Sequence, residues 1–125
     1  MNIENVQRIK ELVGPDWMSD CIEVGCGDGW FGLIEELVVE LKALEEIFPE
    51  IRDLKILQIK EKFGELRFYY EIGTDTLEEE RRLGLRSCVE NLIKRATRLT
   101  SITCAICGDP GSDTGPYGAV RCLKH

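Results

Sequence analysis

Cys104-Ala105-Ile106-Cys107-Gly108 and Cys122-Leu123-Lys124-His125 are two tight pairs of metal-ligating residues with 14 residues between Cys107 and Cys122. No other feature restricts the chain as much. Two thiolates separated by two residues can turn toward one tetrahedral ion, and the glycine after the second permits the tight turn. The second pair repeats the spacing, with imidazole as the fourth ligand. Gly111, Gly115, Pro116 and Gly118 between the pairs suit a loop that returns the chain to the metal. The pattern predicts one zinc ion per chain held by Cys104, Cys107, Cys122 and His125. Four protein ligands leave no open coordination position, so the expected ion is structural.

That assignment restricts catalysis. His125 is the single histidine, and once it holds zinc no imidazole is left to activate a serine or cysteine nucleophile. The chain is therefore read as non-enzymatic. Cys88 falls on an apolar helical stripe and reads as core. Cys21 and Cys26 flank a glycine-rich loop, where they are either buried or a labile pair.

At 125 residues the chain has the length of one domain, with 43% apolar and 31% charged side chains. No apolar run approaches the roughly 18 residues of a membrane span. The segment Met1-Asn2-Ile3-Glu4-Asn5 has neither a basic nor an apolar signal region, so a cytoplasmic location is expected. In a reducing compartment, six cysteines point to metal or packing before disulfides. The net charge of −7 is uneven, with 20 acids and 10 bases through Gly84 but 3 acids and 6 bases beyond it. An acidic body repels a phosphate backbone, which makes nucleic acid a disfavoured partner.

Apolar periodicity predicts a helix from Ile3 to Val13, ended by Gly14-Pro15. A second helix carries Trp30, Leu33, Ile34, Leu37, Val38, Leu41, Leu44 and Ile47 on one stripe. Asp28 is placed to cap it, and Pro49 to stop it. Lys55–Lys60 and Glu65–Glu71 read as a hairpin around Gly64. Alternation puts Leu57, Ile59, Leu66, Phe68 and Tyr70 on one face, and Gln58, Lys60, Arg67 and Tyr69 on the other. Thr76-Leu77-Glu78-Glu79 reads as a capping box opening a long helix, with Leu77, Leu85, Cys88, Val89, Leu92, Ile93, Ala96 and Leu99 inward. The expected class is α+β: helices packed on a small antiparallel sheet, with a C-terminal zinc knuckle or ribbon. The division is a core over 1–103 and a knuckle over 104–125 packed on it.

Ile22-Glu23-Val24-Gly25-Cys26-Gly27-Asp28-Gly29 resembles the first motif of class I methyltransferases, in which alternating glycines turn from a strand into a helix around S-adenosylmethionine. That resemblance implies a small methyltransferase-like protein. Such folds require about six or seven strands in alternation with helices, and no such alternation continues here. The simpler reading is a helix-capping turn.

The combined pattern is similar to a family of small uncharacterised phage and prophage proteins. It is carried by Cys26-Gly27-Asp28-Gly29-Trp30 leading into Leu33-Ile34, then Gln58-Ile59-Lys60-Glu61-Lys62-Phe63-Gly64-Glu65-Leu66-Arg67-Phe68-Tyr69. The knuckle completes it, with Pro110-Gly111 between its halves. The resemblance implies a phage-encoded counter-defence protein in the host cytoplasm, which sequesters a nucleotide-type signal or blocks a host effector. The partner would be a small anionic ligand or a host protein. Lys60, Arg67 and Tyr69 on the outer hairpin face are the expected ligand site, closed by Asp28 and Trp30, with a homodimer joining two such faces. The alternative is a nucleic-acid-binding zinc ribbon using Arg95, Arg98, Arg121 and Lys124.

Overall fold

In the computed structural model, which describes residues 1–73, 76–114 and 118–125, helix α1 spans Ile3–Val13. Asn2 caps it by accepting from the Asn5 amide at 2.8 Å. Gly14 ends it with φ +81°, its N–H donating to Lys10 O. The chain then forms a two-residue strand β1 (Val24–Gly25), a single 3-10 turn over Asp28–Trp30, and helix α2 (Phe31–Ala43). Two further 3-10 turns, Leu44–Glu46 and Pro49–Asp53, lead into strands β2 (Lys55–Lys62) and β3 (Glu65–Glu71). Helix α3 (Glu79–Thr100) follows, and the pair β4 (Ser112–Asp113) and β5 (Val120–Arg121) completes the chain.

The class is α+β. The main sheet has the order β1-β2-β3, and β2 and β3 form the expected antiparallel hairpin. β1 adds a parallel edge, with Val24 opposite Ile59. A strand of two residues leaves too little periodicity to be read in advance. At the hairpin turn, Phe63 and Gly64 both take positive φ, 54° and 76°. That combination matches the right-handed twist of the flanking strands.

The three helices pack in series, with α1 on α2, α2 on α3 and α3 on β3. Ile34, Leu37, Val38 and Leu41 of α2 form the core with Ile56, Ile59, Leu66, Phe68, Leu85 and Val89. Each such burial is worth about 1.5–3 kcal/mol. No helix among the described residues is long and apolar enough to cross a membrane.

Four local expectations fail for identifiable reasons. Leu57 is 47% exposed while Ile56 is buried, because the register shifts between Ile56 and Gln58. That bulge inserts one residue and turns the strand's first half over. α2 stops at Ala43, so Ile47 lies beyond it and is exposed. α3 begins at Glu79 with Glu78 as its cap residue and no side-chain cap bond, so Thr76 does not close a capping box. Cys88 is only half-buried. Gly115 and Pro116, read as part of the metal-returning loop, lie outside the described residues.

Candidate metal centre and the loop beneath it

The last helical turn of α3 hands the chain to Cys104 through a Thr103 hydroxyl bonded to Leu99 O. Cys104 is fully buried. Its amide donates to Asp109 O at 2.7 Å and its carbonyl accepts from Gly108 N at 2.9 Å. The turn thus closes on itself, with Gly108 at φ +83° as the spacing requires. The second half returns through β5, where the Ala105 amide donates to Val120 O at 2.9 Å. A final turn, His125 N to Cys122 O at 3.2 Å, presents the imidazole.

The result is a cluster of Cys104, Cys107, Cys122 and His125 whose ligand atoms all lie within 4.8 Å of one another. Cys107 Sγ is 3.7 Å from Cys122 Sγ, and His125 Nδ1 is 3.8 Å from Cys104 Sγ and 3.2 Å from Cys122 Sγ. A tetrahedral ion with metal–sulfur bonds of about 2.3 Å holds its sulfurs roughly 3.7–3.8 Å apart. The four residues can therefore hold one metal ion with little movement. Burial opposes ionisation of Cys104, but the amides of Cys107, Ile106 and Cys122, with the Cys107 thiol, outweigh it and bring the thiol down to about 6. The Asp109 amide favours the Cys107 thiolate, yet desolvation and the hydrogen bonds to Cys122 and Cys104 raise that thiol to about 11. Neighbouring sulfurs share protons that a cation replaces on binding.

The glycine-rich loop lies against this knuckle. Gly29 N donates to Ala105 O at 2.9 Å. A Cβ on Gly27 would sit 2.0 Å from Ala105 O, and one on Gly29 would sit 2.0 Å from Cys104 O. The alternating glycines therefore permit backbone-to-backbone contact with the chain's own C-terminal segment. A cofactor approaching this turn as in the methyltransferases would meet Cys104 and Ala105 first. β1, α2 and β2 do form one strand–helix–parallel strand unit, but β2 then turns directly into its antiparallel partner. Burial pushes the neighbouring Cys26 thiol up to about 11, the reverse of a reactive cysteine.

Two of the five residues expected at the ligand face belong to this packing instead. Trp30 is fully buried, and its indole Nε1 donates to Thr103 O at 2.8 Å, so it cannot close a surface site. Asp28 makes no cap bond to α2, and its hydrogen bonds go to the start of α1. Its Oδ1 accepts from Asn2 N at 2.7 Å and Asn5 Nδ2 at 3.2 Å, tying α1 to the loop. The other three do come together. Lys60 and Arg67 are cross-strand partners, and the Lys60 ammonium lies 5.9 Å from the Tyr69 ring centroid. Arg67 Nη2 is 3.4 Å from Glu65.

Two of the four bases of the nucleic-acid alternative are engaged within the chain. Arg95 bridges α3 to Glu36 and Glu40 of α2 at 3.5 and 3.4 Å. Arg121 Nη1 donates to Val120 O. Comparison with protein-family models, curated proteins and solved structures returns no match.

Proposed function

We propose that the chain is a small zinc-stabilised binding protein whose outer hairpin face, Lys60, Arg67 and Tyr69, takes an anionic ligand or an acidic patch of a host protein. The observation that carries this reading is the closed four-ligand cluster. Three thiolates and one imidazole at tetrahedral spacing suit zinc above harder cations, and a site with no open position holds structure and offers no Lewis acid to a substrate. The working surface then lies elsewhere, and the hairpin presents two cations beside an aromatic ring on an otherwise acidic chain.

The phage resemblance extends this to counter-defence in the host cytoplasm, by sequestering a nucleotide-type signal or blocking an effector, with a homodimer joining two hairpin faces. The test is plaque formation on a bacterial strain protected by nucleotide-signalled immunity. Expression of the chain should restore plating, and R67A should abolish the restoration while keeping its zinc. Unchanged plating with folded, zinc-loaded protein in the cells would overturn the counter-defence role.

A further inference from the structure

Between β3 and the second half of α3 lies a groove of about 370 Å³, lined by Glu65, Arg67, Tyr69, Lys94, Thr97 and Arg98 among others. Its composition follows from two periodicities. Arg67 and Tyr69 are two apart on a strand, and Lys94 and Arg98 are four apart on a helix, so each pair shares a face. The fold brings the two faces together. Three cations and one carboxylate therefore line a groove on a chain of net charge −7. No described carboxylate lies within ion-pair distance of Lys94 or Arg98.

Arg67 is the informative member. Its Nη2 faces the Glu65 carboxylate, while its Nε is buried with no hydrogen-bond acceptor. With Nε covered by protein, a phosphate meets this guanidinium through its Nη donors, one of which Glu65 now occupies. Tyr69 is 44% exposed beside it, and the half-buried Ile93 of α3 adds an apolar wall. As the outer strand of the sheet, β3 also turns part of its backbone away from β2. A volume of this order accommodates one small molecule.

We infer that this groove binds a phosphorylated, ring-bearing small molecule of the mononucleotide class. Its phosphate sits among Arg67, Lys94 and Arg98, and its ring lies against Tyr69. The inference rests on the reading of the hairpin as an anion-binding face, and it adds α3 as the second wall. Glu65 competes for Arg67, so a ligand phosphate displaces it. The C-terminal end of α3 carries the negative end of its dipole; the three cations, not the helix, must hold the anion.

The experiment is an amide NMR titration of the zinc-loaded full chain with two probes, adenosine diphosphate and inorganic pyrophosphate. Adenosine diphosphate should shift residues 65–69 and 93–98 saturably, and bind about tenfold or more tighter than pyrophosphate, as stacking of one base predicts. K94Q and R98Q should each weaken it by about tenfold, the loss expected for a hydrogen bond to a charged group. E65Q should strengthen it, a gain that a merely structural ion pair would not produce. Binding that falls with K60Q yet ignores K94Q and R98Q overturns the groove and leaves the hairpin face standing. Equal affinity for both probes overturns the ring-bearing class. No saturable shift with either probe overturns the groove as a phosphate site, and leaves the wider reading to a protein partner.

Discussion

The indole N–H of Trp30 donates to the carbonyl of Thr103 across 73 residues of chain. This bond fastens the start of α2 to the residue immediately before the first metal ligand. With Gly29 N to Ala105 O beside it, it makes the metal knuckle and the glycine-rich loop one structural unit. A metal bound at the cluster would therefore hold more than its own segment.

The purified chain should carry one zinc ion per molecule by elemental analysis. Apparent binding free energies of structural zinc in small modules are about 10–16 kcal/mol. Removing it with a strong chelator should thus disorder residues 104–125 and broaden the amides of Gly25 to Trp30, while α1 and the hairpin keep theirs. Affinity should fall on acidification, because protons compete for the ligands. Protein free of metal with Cys104 and Cys107 joined as a disulfide is the result that defeats this.

Gly27→Ala and Gly29→Ala should each destabilise the fold by about 1–3 kcal/mol, as overpacking against backbone does. Each should also weaken metal retention. Gly32 provides the control, since a Cβ there meets nothing within 4 Å. Gly32→Ala in α2 should be neutral or stabilise by up to about 1 kcal/mol. Thermal melts in parallel with zinc release to a chromogenic chelator distinguish the two behaviours; equal tolerance at all three positions would mean the loop does not touch the knuckle.

Trp30→Phe should cost about 1–3 kcal/mol for the unpaired Thr103 carbonyl, in addition to the cavity left by the larger ring. Hydrogen exchange at Gly29 should accelerate in this variant more than exchange in the hairpin. Denaturant melts give the total; uniform acceleration across the chain would show that the bond has no local role.

Asp28 makes a pH-dependent attachment of α1. The Asn2 amide, helped by the Asn5 side chain, holds its carboxyl below the ordinary 3.8. A lowered folded value means that this contribution is present above 3.8 and is lost as pH falls through the lowered value. Asp28→Ala should destabilise the chain only slightly, because the site is exposed, and abolish that part of the acid dependence. Exchange should quicken at Asn2 and Asn5, with the first turn of α2 unchanged. Fraying of Phe31 to Ile34 instead would restore Asp28 as a helix cap.

The cluster of Cys104, Cys107, Cys122 and His125 and the extent of α1 were legible because each rests on a local rule, cysteine spacing in one case and apolar period with a glycine stop in the other. Arg67 and Tyr69 were placed together by strand alternation alone. What escaped was decided by tertiary contact. The bulge at Leu57 depends on how β2 meets β3, and nothing in Ile56-Leu57-Gln58 marks it. Trp30 lay at the head of an apolar helical stripe, and the stripe does not reveal that its N–H seeks a carbonyl beyond α3. Lys94 was inconspicuous, and Arg98 was read only as a nucleic-acid contact, because their neighbours in the groove come from another element. The glycine loop misled because close approach to a cofactor and close approach to the chain's own backbone demand the same residue.

The Trp30–Thr103 bond also bears on folding. Its partners are separated by α2, the hairpin and α3, so a chain that forms its local contacts first would close this bond late. Closing so long an interval is slow, although its entropic cost grows only logarithmically with length. Newly made chain should therefore pass through a stage in which helices and hairpin are formed while the loop at Gly25 to Gly29 still waits for its cover. At that stage metal binding at the Cys104, Cys107, Cys122 and His125 cluster would set how long Trp30 stays exposed to wrong partners.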